Sequence, residues 1–382
     1  MNRDSCLRGV RILPLLFVFT GLVFTDRCVA SPDYSLDILY DLHLYSVSDG
    51  DIKGMASGFR RVRGSMEYSA EVGLSAELSI DVDEKKNKLG VKDAFFVKEM
   101  PSLGEVKVGR FKEPGGLDQD LSLKSQFFME RSLSNQVFGY GRSNGIGIEK
   151  RWGHIKGERS TTASLGGYVF SETDSNSGGG SFHSYSVRAT WLAYKDQAGR
   201  LLHLGGLWSE HDMQMQSVRL SQAISPEVIG GRAIKSTRNE SEHLKNASID
   251  LAWRSNRWLW QGEYYFQRQE AGLSGYLDYS GYYGLVNFTI VGPPRDYSGT
   301  FRLGSKKKSI IEISLRRSVV DFRQRGVGDI AAVNSLALNI YPGSGVRFSL
   351  QVETGGLQEY EDGVLQDVNE ASISTRMQVL LN

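Results

Sequence analysis

Cysteine is nearly missing from this chain: its 382 residues hold two, Cys6 and Cys28. Both lie in an N-terminal stretch where Arg3, Arg8 and Arg11 flank the apolar run Ile12 to Phe24 and a small-residue site closes at Cys28-Val29-Ala30. That layout predicts an export signal over 1–30, removed after Ala30, and a cysteine-free chain over 31–382. Such an exported chain cannot rely on disulfides. Cys28 is not read as a lipid-anchored cysteine, because Thr25-Asp26-Arg27 lacks small apolar residues. Long apolar runs are missing too, and the signal's own run is too short to cross a bilayer as a helix. Charge of one sign is the third absence. Without four arginines and two aspartates of 1–30, 41 basic and 42 acidic side chains remain, a net −1. No basic field points to nucleic acid.

Sustained helical stripes are lacking as well, and two-residue alternation takes their place. In "NASIDLAWR", Ala247, Ile249, Leu251 and Trp253 share one face against Ser248, Asp250 and Arg254. "YSVRATWLAY" sets Tyr185, Val187, Ala189 and Trp191 against Ser186, Arg188 and Thr190. Strands are expected at 35–45, 59–67, 72–82, 91–99, 104–111, 145–152, 163–170 and 185–194. Eight more are expected at 200–209, 247–254, 258–267, 280–290, 309–320, 331–340, 346–353 and 370–381. Many approach the nine to eleven residues that a tilted strand needs to cross a bilayer. Long connections are expected at 113–144, 210–246, 291–308 and 354–369, against short ones such as Pro342-Gly343-Ser344-Gly345.

Fold class is therefore all-β: a transmembrane antiparallel barrel of about sixteen strands, porin-like, in the outer membrane of a Gram-negative cell. A secreted β-sandwich alternates as well. Charges in mid-strand, aromatics near strand ends (Trp258, Trp260, Tyr264, Phe266) and sixteen strands without a linker count against it. A mean hydropathy of −0.31 excludes neither, since a water-filled lumen needs polar side chains.

The stretch "VGRFKEPGGLDQDLSLKSQFFMERSL", followed by "GRSNGIGI", resembles the phosphate-selective porin O and P family. Further matches are "GFRRVRGSMEYS", "WLWQGEYYFQR", "GYYGLVNFTI" and "IEISLRRSVVDF", in family order across roughly 58–381. Gly115 departs from the family's usual bulky residue. The resemblance implies a homotrimeric passive channel for small anions such as phosphate, embedded in outer-membrane lipid, with no cofactor.

Strand parity places Arg61, Arg63, Lys107, Arg188, Arg254, Arg316, Arg347 and Arg376 in the lumen. It also places Asp37, Asp41, Glu77, Asp81, Asp250, Glu263, Glu312 and Glu353 there, so counting alone gives no selectivity. Arginine forks bind phosphate oxygens in pairs, which makes Arg61, Arg63, Lys107, Arg188, Arg254 and Arg316 candidate anion contacts, Arg61 and Arg63 first. Taken singly, each is more simply a partner for a wall carboxylate. Lys124, Glu130 and Arg131 belong to a connection that either folds inward as a constriction or packs at the rim.

Other chemistry fits less well. "GRFKEPGG" lacks the Gly-Lys-Ser/Thr of a phosphate-binding loop, and no helix is expected after it. Gly141-Arg142-Ser143-Asn144-Gly145 formally matches a hydrolase elbow, yet a strand rather than a helix is expected next. His203, Glu210, His211 and Asp212 suggest a metal site, yet "SEHDMQMQ" reads as a hydrophilic loop without metal-ligand spacing. A lipid hydrolase or a surface-adhesion barrel remain the alternatives.

Overall fold

The computed structural model describes residues 32–47, 52–70, 73–83, 88–153, 162–174, 180–196, 198–224, 232–270, 272, 275–303, 309–324, 327–343, 345–361 and 364–381. The expected export signal lies outside them.

The first strands are β1 (Asp33–Val47), β2 (Ile52–Ala70), β3 (Leu74–Asp83), β4 (Lys88–Met100), β5 (Gly104–Lys112), β6 (Arg142–Trp152) and β7 (Ala163–Asp174). Next come β8 (Gly180–Lys195), β9 (Leu201–Val218), the small hairpin β10 (Ser221–Ala223) and β11 (Ala233–Lys235), β12 (Asn239–Ser255) and β13 (Trp258–Glu270). Then follow β14 (Tyr276–Val291), a second hairpin β15 (Asp296–Tyr297) and β16 (Phe301–Arg302), and β17 (Ile310–Asp321). The last are β18 (Ile330–Gly343), β19 (Val346–Glu361) and β20 (Val364–Leu381). All except the two small hairpins form one closed antiparallel barrel, shut by β1 against β20 from Leu36↔Leu381 to Val47↔Glu370. Closure removes every sheet edge, which lipid demands of a spanning sheet.

All sixteen expected strands are present, and alternation sets their faces. On β12, Ser248, Asp250 and Ala252 point inward and are buried, while Ile249 and Leu251 are 66% and 49% exposed on the outside. Aromatics ring that outer face near both ends. Trp152, Trp191, Trp258 and Trp260 lie toward the end that carries the termini, and Tyr276 and Tyr360 toward the other. Two such girdles flanking an apolar band are what bilayer interfaces favour.

Strands run longer than the apolar pattern, which corrects two connections. Residues 354–369 are largely β19 and β20, meeting through Glu361↔Val364. The 210–246 connection shrinks to 219–238, because β9 continues to Val218 and β12 begins at Asn239. "SEHDMQMQ" is thus strand, not loop, with Gln214 and Met215 at φ 46° and 61°. In both places polar side chains occupy both faces, so hydrophobic alternation fades where pairing does not.

Three segments fold into the barrel. From the end opposite the termini come 113–141 and the stretches 219–224 and 232–238, which carry β10 and β11. From the termini end comes 292–303, carrying β15 and β16. The first holds two short helices, α1 (Leu117–Asp120) and α2 (Leu133–Phe138), the second capped by the Ser132 hydroxyl accepting from the Asn135 N–H at 3.2 Å. A helical turn therefore does follow "GRFKEPGG", against expectation. Leu117, Phe127, Phe128, Leu133, Val137 and Phe138 pack with Tyr265, Tyr283 and Val320 of the wall and Phe301 of the third segment. Each large apolar side chain so buried contributes about 1.5–3 kcal/mol. The apolar core of this barrel lies inside it.

Candidate functional site

Segment 113–141 is fastened to one side of the lumen. Gly116 lies so close to the wall that a Cβ there would overlap the Glu263 carboxylate, which accepts the Asp118 N–H at 2.6 Å. Space rather than turn geometry therefore favours glycine here, since any Cβ would push the Glu263 carboxylate aside. Gln351 accepts the Met129 N–H at 2.8 Å, Asn339 donates to the Phe127 carbonyl at 2.8 Å, and Ser318 accepts the Ser134 N–H at 3.1 Å. Asn135 donates to the Tyr265 hydroxyl at 3.1 Å, and Asn246 to that of Tyr140 at 2.8 Å. A segment with so many backbone groups fixed by wall side chains has a defined path.

Two of the parity-assigned arginines belong to this fastening, and three more are taken up by the wall or by segment 292–303. Arg316 lies over the Phe128 ring at 4.2 Å, donates to the Glu130 carbonyl at 3.0 Å and faces Glu353 at 3.7 Å. Arg376 grips Asp41 through both carboxylate oxygens at 2.6 Å and donates to the Met129 carbonyl at 2.8 Å. Arg347 donates to Asn339, Arg188 pairs with Asp250 at 2.5 Å, and Arg254 donates to the carbonyls of Gly199 and Arg295. Such buried pairs are largely occupied with structure.

The wall formed by β2 to β6 differs. Arg61 meets Asp37 only at 3.7 Å, while Arg63 is held by both oxygens of Asp81, one at 2.7 Å. Arg142 donates to Asp93 at 2.7 Å. Lys107 lies over the rings of Phe95 and Phe111 at 4.6 and 5.4 Å. Lys92 sits among Asp81, Arg142, Arg63 and Arg61, which are its electrostatic neighbours. Among the described residues neither lysine has a carboxylate within ion-pair distance. This side thus gathers five cations (Arg61, Arg63, Lys92, Lys107, Arg142) with five carboxylates (Asp37, Glu67, Glu77, Asp81, Asp93).

Parity missed Lys92 and also Arg60, because each is the extra residue of a bulge, opposite Ser79/Ile80 and Leu39/Tyr40. Arg60 reaches across to Glu130 at 3.0 and 3.1 Å. Burial alone pushes the Glu130 carboxyl up, but the charge of Arg60 outweighs it and holds the group below its ordinary range. Arg131 donates to the carbonyls of Asp118, Gln119 and Leu121 and fixes the segment's own turn, whereas Lys124 is exposed. At the segment's root Glu113 accepts from Ser143 at 2.7 Å, and burial pushes its pKa up to about 7.

The enzyme-like motifs dissolve in the geometry. Ser143 sits in β6, so its elbow leads into a strand. His211 faces the lumen, stacked on Tyr140 at 3.6 Å between ring centres, whereas Glu210 and Asp212 take the opposite parity on β9. Among the described residues, Glu242, His243 and Glu270 bring ligand atoms within 4.8 Å of one another on the outer face, with Glu270 already paired to Lys245.

The barrel has wide company among solved structures. The channel DcaP of Acinetobacter baumannii matches with TM-score 0.58, 9% identity and coverage of 93% of this chain and 99% of that one. The anion-selective porin from Comamonas acidovorans matches with TM-score 0.56, 10% identity and coverage of 91% and 100%. The trimer form of Vibrio cholerae OmpT gives 0.54, 10%, 91% and 99%. At such identities these likenesses establish the fold alone. A comparison with curated sequences finds no match. The profile of phosphate-selective porin O and P matches residues 34–381. The chain belongs to that family and is an outer-membrane porin.

Proposed function

We propose that this porin passes small anions along the wall formed by β2 to β6, with phosphate among its solutes. The observation that carries this reading is a set of three lumen cations, Arg61, Lys92 and Lys107, without a hydrogen-bonded carboxylate among the described residues. Anions crossing there meet several weak sites in sequence, and conduction needs weak sites more than one tight one. Arg63 and Arg142 serve mainly to neutralise Asp81 and Asp93. Arg188, Arg254 and Arg316, candidates by parity, hold the inward segments and the wall instead. Segment 113–141, with Glu130 and Arg131 fixed and Lys124 exposed, acts as the constriction and pushes the path toward the basic side. The anion-selective Comamonas porin shares the fold and lends support. An export signal over 1–30, a homotrimer like the OmpT trimer form, and a periplasmic position for the termini complete the reading.

Planar-bilayer recording tests it. Purified barrel should give stepwise conductance, with added phosphate partly blocking chloride current. A folded barrel without steps would return the lipid-hydrolase and adhesion alternatives. Steps indifferent to phosphate would leave a porin without this solute.

A further inference from the structure

Arg295 is placed unlike any other arginine of the lumen. It sits in segment 292–303, which enters from the termini end, and is 3% exposed. Its guanidinium pairs with both oxygens of Glu312 on β17, at 2.5 and 3.0 Å. One nitrogen also donates to the Phe301 carbonyl of its own hairpin at 3.3 Å. The same nitrogen donates to the Ser125 carbonyl, which belongs to segment 113–141, entering from the opposite end. The flat face of the group lies over the Phe127 ring of that segment, 3.8 Å from its centre.

Apart from the packing of Phe301 in the shared apolar core, the polar fastenings of these two segments described above run to the wall. The hairpin is held by Arg254 through the Arg295 carbonyl at 2.6 Å, and by the Tyr297 hydroxyl on His203 at 2.5 Å. His203 in turn meets Asp250 at 2.7 Å. Segment 113–141 has the anchors to β13, β17, β18, β19 and β20 given earlier. Arg295 instead joins wall, hairpin and inward segment through one rigid planar group. A guanidinium can do this because it offers five donors in a plane and a face that stacks; an ammonium cannot.

We propose that Arg295 is a positioning residue that couples the two inward segments, so that the constriction is set from both ends of the barrel as one body. The proposal deepens the porin reading, since the path it shapes is the one proposed above. Energetic coupling of this kind is reciprocal: loosening either segment must loosen the other.

Hydrogen exchange on the purified barrel in detergent, read by mass spectrometry, tests this without requiring conduction. Arg295→Gln should raise amide exchange roughly tenfold or more in both 292–303 and 117–138, because it leaves Glu312 buried without its partner. Stretch 232–236, whose Arg232 and Lys235 N–H groups are held by Glu370 and Asp329, should keep its rates; 219–224 is not such a control, because Gln222 donates to Gln136 of segment 113–141 at 2.9 Å. Phe127→Ala removes no charge and lies in the other segment, yet should speed exchange in 292–303 as well. Acceleration confined, for each variant, to the segment that carries the substitution would overturn the coupling. Single-channel records of Arg295→Gln should then show a larger conductance with added sublevels. A parent barrel that never conducts would refute the porin reading and leave the exchange result standing.

Discussion

Two walls of one lumen carry arginine and use it in opposite ways. On the β17 to β20 side, Arg316 and Arg376 have side chains 3% and 0% exposed and each donates to a carbonyl of segment 113–141; Arg376 is also bound to Asp41 at 2.6 Å, while Arg316 meets Glu353 at 3.7 Å. On the β2 to β6 side, Arg61 and Arg142 keep 14% and 23% of theirs open to the lumen. The difference teaches that an arginine ladder is not by itself a conduction path. What decides is whether the guanidinium's donors are already taken by the fold. Burial and donation to the inward segment make a fastener, whereas partial exposure leaves a group that a passing anion can reach.

The contrast can be broken most strongly on the fastening side. Arg376→Ala should cost about 3–5 kcal/mol, because it strands Asp41 as a buried unpaired charge. Denaturant unfolding of the reconstituted barrel measures it, and a loss under about 1 kcal/mol would remove Arg376 from the fasteners. The outer face gives a reference of similar size. Leu251→Lys should cost about 2–4 kcal/mol if its depth is near the midplane, and the same unfolding assay in lipid vesicles reads it.

Substitutions on the open side should spare the fold. Arg61→Ala should change stability by less than about 1 kcal/mol, as its one ion pair is loose, while lowering anion preference in a salt gradient. Arg63→Ala sharpens the point, because it uncovers Asp81. Its anion preference should fall, and Asp81→Asn in the same chain should restore most of it. A double variant no better than the single one would mean that Arg63 contacts the solute itself.

Sequence alone carried the barrel far. Sixteen strands were legible because lipid outside and water inside impose a strict two-residue period, and Leu251 and Asp250 fell on the faces assigned to them. Where polar side chains line both faces, as in "TGGLQEYE", the period vanished and β19 and β20 were cut short. The inward segments were hidden for another reason. Phe127, Phe128 and Phe138 are apolar without period, since they pack inside the barrel as a small core, and nothing in "VGPPRDYSGT" marks Arg295 as a joint. At the site, Arg61 and Lys107 followed from parity. Lys92 and Arg60 did not, because one bulged residue shifts the count.

The central claim is that the open wall, not the fastened one, sets selectivity. Reversal potential across a KCl gradient tests it most directly, comparing the parent barrel with the combined variant Arg61→Ala, Lys92→Ala, Lys107→Ala. The account predicts anion preference in the parent and its loss or inversion in the variant, with unfolding little changed. A variant that keeps the parent's anion preference, or a parent that prefers cations, would contradict it.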